Sequence, residues 1–224
     1  MNQRRILLFS ILFMICFLLV ASFRDSFDTV NLSLNFWSAL VNTGFFTLVA
    51  QTISVVFDTI ALTILSLVLA VFLFVWHYRR YGLLLIGAMA GVTFLVELFK
   101  TIIKSPRPLN GIIAVSGYSF PSGHTTSSVV FFGVLTYFVW KNWDSPKVKA
   151  LTAGLYVSIT AIVGFDRIYL NVHWFSDIVG SIFLGAFWVT VCILLFKYLV
   201  SSGKIQRFLS QDAKSKVNSR LLNT

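Results

Sequence analysis

The sequence predicts an all-α, polytopic membrane protein, and three observations carry that prediction. Hydrophobic residues make up 57% of the 224, aromatic residues 16% and charged residues only 12%, with a mean hydropathy of +0.85. A soluble domain needs a larger polar surface than this composition supplies. The apolar residues fall into six continuous runs, each near the ~20 residues that a helix needs to cross a hydrocarbon core. The lysines and arginines sit beside those runs, so the formal charge of +10 reads as membrane topology and not as a nucleic-acid footprint.

The first run, 5–23, follows Arg4 and Arg5 and shows no small-residue cleavage site before Arg24, so it reads as a retained anchor. Residues 24–56 are mixed, with Phe36, Trp37, Phe45 and Phe46 among Asn, Ser and Thr, which predicts one or two amphipathic helices at the interface. Runs at 57–77, 82–104, 124–141, 148–165 and 174–199 supply five further spans. Residues 1–200 are therefore expected to form one six-span domain with a chemistry-bearing core at about 100–177. Residues 201–224 form a polar, basic tail suited to solvent or lipid headgroups. Cys16 and Cys192 lie inside apolar runs and pack as small hydrophobes, implying neither a disulfide framework nor a metal cluster.

Six spans put both termini on one side. Of the 18 lysines and arginines, only Arg24, Lys100, Lys104, Arg107 and Arg167 fall on the other side, so both termini are expected to be cytoplasmic. The loops around 105–123 and 166–173 then face outward.

Three polar segments stand out on that outer face. In Lys100–Pro108 a lysine is followed seven residues later by an arginine between Pro106 and Pro108, which end the helix and stiffen the turn. Lys100 and Arg107 can converge on one anion, the alternative being two headgroup anchors. Pro121-Ser122-Gly123-His124 opens the fourth span. Glycine there lets the backbone approach an oxyanion, Ser122 can donate, and the free N–H groups of the helix start favour negative charge. Asp166-Arg167, His173 and Asp177 form the third segment, in which the spacing of His173 and Asp177 places both on one helical face. A carboxylate there keeps one imidazole nitrogen protonated and leaves the other free as a nucleophile; the alternative is a structural hydrogen bond between helices. Glu97, three residues before Lys100, reads as an ion-pair partner of Lys100 or of Lys104.

With their order and internal spacing, Lys100 with Arg107-Pro108, Pro121-Ser122-Gly123-His124, and Arg167 with His173 and Asp177 resemble the three motifs of the type 2 phosphatidic acid phosphatase (PAP2) family. The resemblance implies the PAP2/haloperoxidase-like helical core and a lipid phosphatase active at the outer membrane face. It implies His173 as nucleophile through a phosphohistidine, Asp177 as its orienting acid and His124 as proton donor. Lys100, Arg107, Ser122, Gly123 and Arg167 would bind phosphate, supported by Glu97, Asp166, Pro108 and Pro121, with no metal or other cofactor. One position departs from the pattern: Asp166 stands where the family carries serine. The six-span form is similar to prokaryotic members acting on isoprenoid carrier pyrophosphates, or alternatively on phosphatidylglycerol phosphate or phosphatidic acid. A membrane lipid is thus the expected partner, in a prokaryotic cell membrane, with no nucleic acid and no obligatory protein. The competing classes are a transporter, a lipid-phosphate binder without turnover, and a phosphotransferase.

Overall fold

The computed structural model describes residues 2–41 and 43–203, so the basic tail expected to 224 lies outside the described residues beyond Gly203. Among the described residues there are eight α-helices: α1 (Gln3–Ser22), α2 (Asp28–Leu40), α3 (Gly44–Val56), α4 (Thr59–Val75), α5 (Arg79–Ile103), α6 (Gly123–Asn142), α7 (Pro146–Tyr169) and α8 (Phe175–Ser201). A 3-10 turn at Arg24–Phe27 joins α1 to α2.

Local chemistry sets the helix ends. The Asp58 carboxylate accepts the Ile60 N–H at 2.8 Å and caps α4, and the Ser122 hydroxyl accepts the Thr125 N–H and caps α6. Pro146 opens α7, where its missing N–H costs no helical bond. Lys104 ends α5 in a left-handed conformation, φ 52°, two residues before Pro106. Helix α7 runs to Tyr169, past the expected end at 165, because Asp166 and Arg167 are buried against each other.

Each of the six expected runs forms a helix within a few residues of its predicted bounds, and α2 and α3 occupy the mixed segment. Among the described residues four helices are long and apolar enough to cross a membrane: α1, α5, α7 and α8. The pair α3 and α4, bent by 49° at its break, makes a fifth candidate. By length and composition these make four or five of the six spans read from sequence: α4 qualifies only together with α3, and α6 opens on the buried polar run Thr125–Ser128.

Helix α8 packs along α1 and α6, α5 lies between α4 and α6, and α7 closes on α6. Leu62, Leu85, Met89, Val92, Val130 and Phe131 form the centre. A second cluster joins Phe17, Val20, Phe120 and Leu184. Phe120 stacks on Phe17 at 5.6 Å between ring centres and reaches α8 at Gly180, where a Cβ would fall 2.5 Å from its ring. The exposed apolar side chains of α1 and α4 suit a hydrocarbon surrounding, in which close packing at small residues holds helices together. Arg107, Ser122, Asp58 and Asp177 all belong to one end of this bundle, where α5 and α7 finish and α4, α6 and α8 begin.

Candidate active site

Arg107 lies in the loop after α5, and its guanidinium is held by backbone carbonyls. Nε donates to Gly117 at 3.0 Å, Nη1 to Val172 at 2.8 Å, and Nη2 to Tyr118 at 3.1 Å and Ser116 at 3.4 Å. The planar fork thus ties the 105–122 loop to the connection between α7 and α8. Pro108, next to it, is buried. Burial lowers the Arg107 pKa, opposed by the charge of Asp177 and reinforced by Arg167.

His173 stands in that connection, almost fully buried. Its Nδ1 lies 3.2 Å from Asp177 Oδ2 and its Nε2 lies 3.2 Å from Arg107 Nη1. A guanidinium only donates and a carboxylate only accepts, so Nδ1 carries the hydrogen and Nε2 presents its lone pair. The spacing read from sequence put both on one helical face; His173 lies just before α8 and Asp177 in its first turn, where Oδ2 also accepts the Trp174 N–H at 3.0 Å. The carboxylate orients the imidazole and closes the helix start together. Burial holds the His173 pKa below the usual imidazole value, with the Asp177 hydrogen bond and charge opposing and Arg107 and Arg167 reinforcing.

At the start of α6, Pro121 and Ser122 are buried. The Ser122 N–H donates to Ser181 Oγ at 2.7 Å, and that hydroxyl donates to the Asp177 carbonyl at 2.6 Å, linking the α6 start to the first turns of α8. Gly123 packs against Thr59, whose Oγ1 would lie 3.1 Å from a Cβ at that position. His124 turns Nε2 toward α4, 3.2 Å from the Ser54 carbonyl and 3.4 Å from Asp58 Oδ2.

Arg167 is buried and donates through Nε (2.8 Å) and Nη2 to Asp166 Oδ2, while Asp166 Oδ1 is buried without a hydrogen-bond partner. Arg167 is near enough for its charge to act on His124, His173 and Arg107. Lys100, in the last turn of α5, pairs with Glu97 at 3.1 Å. The structure therefore gathers Arg107, His173, Asp177, Arg167 and His124 at one centre, while Lys100 is engaged by a neighbour on its own helix. Among the described residues no three His, Cys, Asp or Glu side chains gather as a metal site requires.

Asp58 was not singled out in the sequence. Its signal was present: it is the sole acidic residue between Asp28 and Glu97, standing at the edge of an apolar run, where an ionisable group is costly unless partnered. Ser181, a turn after Asp177, was also passed over.

A family model described as PAP2 superfamily matches residues 81–201, which contain all three motifs. Phosphatidylglycerophosphatase B of Bacillus subtilis (strain 168) is 32% identical over 142 residues, covering 59% of this chain and 64% of that protein. An undecaprenyl-diphosphatase of Sulfolobus acidocaldarius is 26% identical over 136 residues, 58% of this chain and 60% of its own length. Lipid phosphate phosphatase delta of Arabidopsis thaliana is 26% identical over 132 residues, 51% of this chain and 32% of that protein. The chain thus spans from just under a third to just under two thirds of the length of these curated relatives. The crystal structure of a transmembrane PAP2-type phosphatidylglycerolphosphate phosphatase from Bacillus subtilis superposes with a TM-score of 0.78 at 22% identity, covering 85% of this chain and 96% of that one, which establishes the shared fold. Helical architecture, motif residues meeting at one bundle end and a family match running from α5 through α8 lead to one conclusion: this integral membrane protein belongs to the PAP2 superfamily.

Proposed function

We propose that this chain is a metal-independent lipid phosphate phosphatase that works through a phosphohistidine. The observation carrying the reading is the fixed tautomer of His173, whose Nε2 lone pair is presented beside the Arg107 guanidinium while Asp177 holds Nδ1–H. Nε2 attacks phosphorus, the bond to the leaving oxygen breaks, and Asp177 offsets the charge that develops on the imidazole. His124 gives the leaving oxygen its proton, then takes a proton from the water that attacks phosphorus and releases phosphate. Arg107, Arg167, the Ser122 hydroxyl and the N–H groups at the α6 start neutralise the equatorial oxygens. Lys100 adds positive charge at the rim, with Glu97 holding it in place.

Residues 1–200 act as one domain in this reading, with six helices crossing, both termini cytoplasmic and the site on the extracytoplasmic side. The bias of Lys and Arg supports that orientation. An apolar cavity of about 610 Å³, lined by Trp37, Val41, Ala50, Ile162 and Phe165, reaches Asp166 and supports an amphiphile whose tail stays in lipid. Phosphatidylglycerol phosphate is the first substrate to test, after the 32% identical relative; an isoprenyl pyrophosphate is the second, after the Sulfolobus relative.

The test is phosphate release by purified protein in detergent, with a chelator present. Phosphatidylglycerol phosphate, undecaprenyl pyrophosphate, phosphatidic acid and a soluble ester are compared in wild type and His173→Ala. Release from a lipid that disappears in the variant supports the proposal. No release from any of the four by folded wild-type protein overturns it.

A further inference from the structure

We infer that Asp58 positions His124 and stabilises its protonated form, so that the proton donor, like the nucleophile, works as an imidazole–carboxylate pair; this rests on the acid role proposed above. The geometry originates in the break between α3 and α4. In an unbroken helix the Asp58 N–H would bond to the Ser54 carbonyl, but here it reaches Val55 at 3.4 Å, and the Ser54 carbonyl is left to His124. Asp58 divides its two oxygens between tasks: Oδ1 caps α4 through the Ile60 N–H, and Oδ2 faces His124 Nε2 at 3.4 Å. The start of α4 is docked on α6 by Thr59, whose Oγ1 accepts from Ser127 Oγ at 3.3 Å.

Ser54 O and the Asp58 carboxylate are both acceptors, so Nε2 bears a hydrogen and Nδ1 is the nitrogen left to exchange a proton with substrate. The charges acting on His124 are those of Arg167, Asp58 and His173. Arg167 and a charged His173 disfavour an imidazolium there. Asp166 already engages Arg167 and Asp177 already engages His173, so Asp58 is the carboxylate that remains for His124. The proton on Nδ1 passes to the leaving oxygen as the P–O bond breaks and the His173 N–P bond forms. It is replaced from water as that bond is hydrolysed, and Asp58 offsets the imidazolium charge at both stages without transferring a proton itself.

Asp58→Asn tests this, because asparagine also caps a helix and only the charge is lost. Asp58→Ser caps as well and repeats the measurement should the first variant not fold. Both are compared with wild type and His124→Ala on the cleaved lipid ester, whose alkoxide must be protonated, and on a nitrophenyl phosphate, whose leaving group needs no proton. The expected result for Asp58→Asn is a fall in kcat/KM, which reports the steps through leaving-group departure, of about tenfold or more on the lipid ester with little change on the aryl ester. The basic limb of the pH–kcat/KM profile on the lipid ester should also move about one unit toward acid. An equal fall on both esters with an unmoved basic limb, or no fall at all, overturns the inference. If His124→Ala lacks the leaving-group dependence, the acid assignment itself fails; if only the Asp58 variants lack it, the Asp58 inference fails alone.

Discussion

The guanidinium of Arg107 lies 3.2 Å from Nε2 of His173, so the lone pair proposed to attack phosphorus is already engaged by the cation that would bind the phosphoryl oxygens. Substrate binding must transfer that donor from nitrogen to oxygen, coupling phosphate recognition to release of the nucleophile. Arg107→Lys keeps the charge but cannot span the carbonyls of residues 116–118 and 172. Steady-state kinetics should show kcat reduced by about 10²-fold, the scale for losing an oriented oxyanion donor.

Asp177→Asn should be severe, because an amide can donate to Nδ1 and favour the other tautomer, placing the hydrogen on Nε2. The expected loss in kcat is on the order of 10²- to 10⁴-fold with KM little changed. Quench-flow with radiolabelled substrate should show no acid-labile, base-stable phosphoenzyme in this variant. A phosphoenzyme forming at the wild-type rate would contradict the tautomer assignment.

Burial holds the His173 imidazole below its ordinary pKa of 6.5, and the neutral form is the nucleophile. The acid limb of kcat/KM should therefore lie below pH 6.5. Stability follows the same sign, since the unfolded chain takes up the proton first. The contribution of the buried neutral ring is fully present above the unfolded value of about 6.5 and is lost as pH falls through the folded one. Melting curves of wild type and His173→Asn across that range check this: the wild type should lose more stability.

Asp166 occupies two donors of Arg167 that a phosphate oxygen could use. Freeing them in Asp166→Ser should tighten inhibition by inorganic phosphate by about tenfold, the scale of one charged hydrogen bond. The same change leaves a buried guanidinium unpaired, so Tm should fall and recover on adding phosphate. An unchanged inhibition constant would show that Asp166 does not compete for the anion.

Gly180→Ala should destabilise by about 1–3 kcal/mol, because the added methyl meets the buried Phe120 ring. Phe120 precedes Pro121 and Ser122, so activity should fall further than the loss of folded protein explains. Phe120→Leu in the same background should recover part of both, measured by thermal melts and phosphate release.

Much of this was readable in the chain because a bilayer imposes simple rules. A helix must satisfy its own backbone in hydrocarbon, so continuous apolar runs marked α1 and α4 through α8 within a few residues. Scarcity of charge made the polar segments conspicuous, and the spacing within Lys100–Pro108, Pro121–His124 and Arg167–Asp177 carried the resemblance to the family. The errors have physical causes: α7 continues through Asp166 and Arg167 because the two neutralise each other in the interior, where sequence alone reads two charges as an end.

The sequence by itself determined the membrane class, the helix order and the family motifs, since each depends on composition and local spacing. Only the tertiary structure decided which nitrogen of His173 bears its hydrogen, that Asp166 rather than open space meets Arg167, and that Asp58 faces His124 across the break before α4. Those facts rest on directional contacts between elements far apart in the chain, and packing of the bundle, not local sequence, sets such contacts.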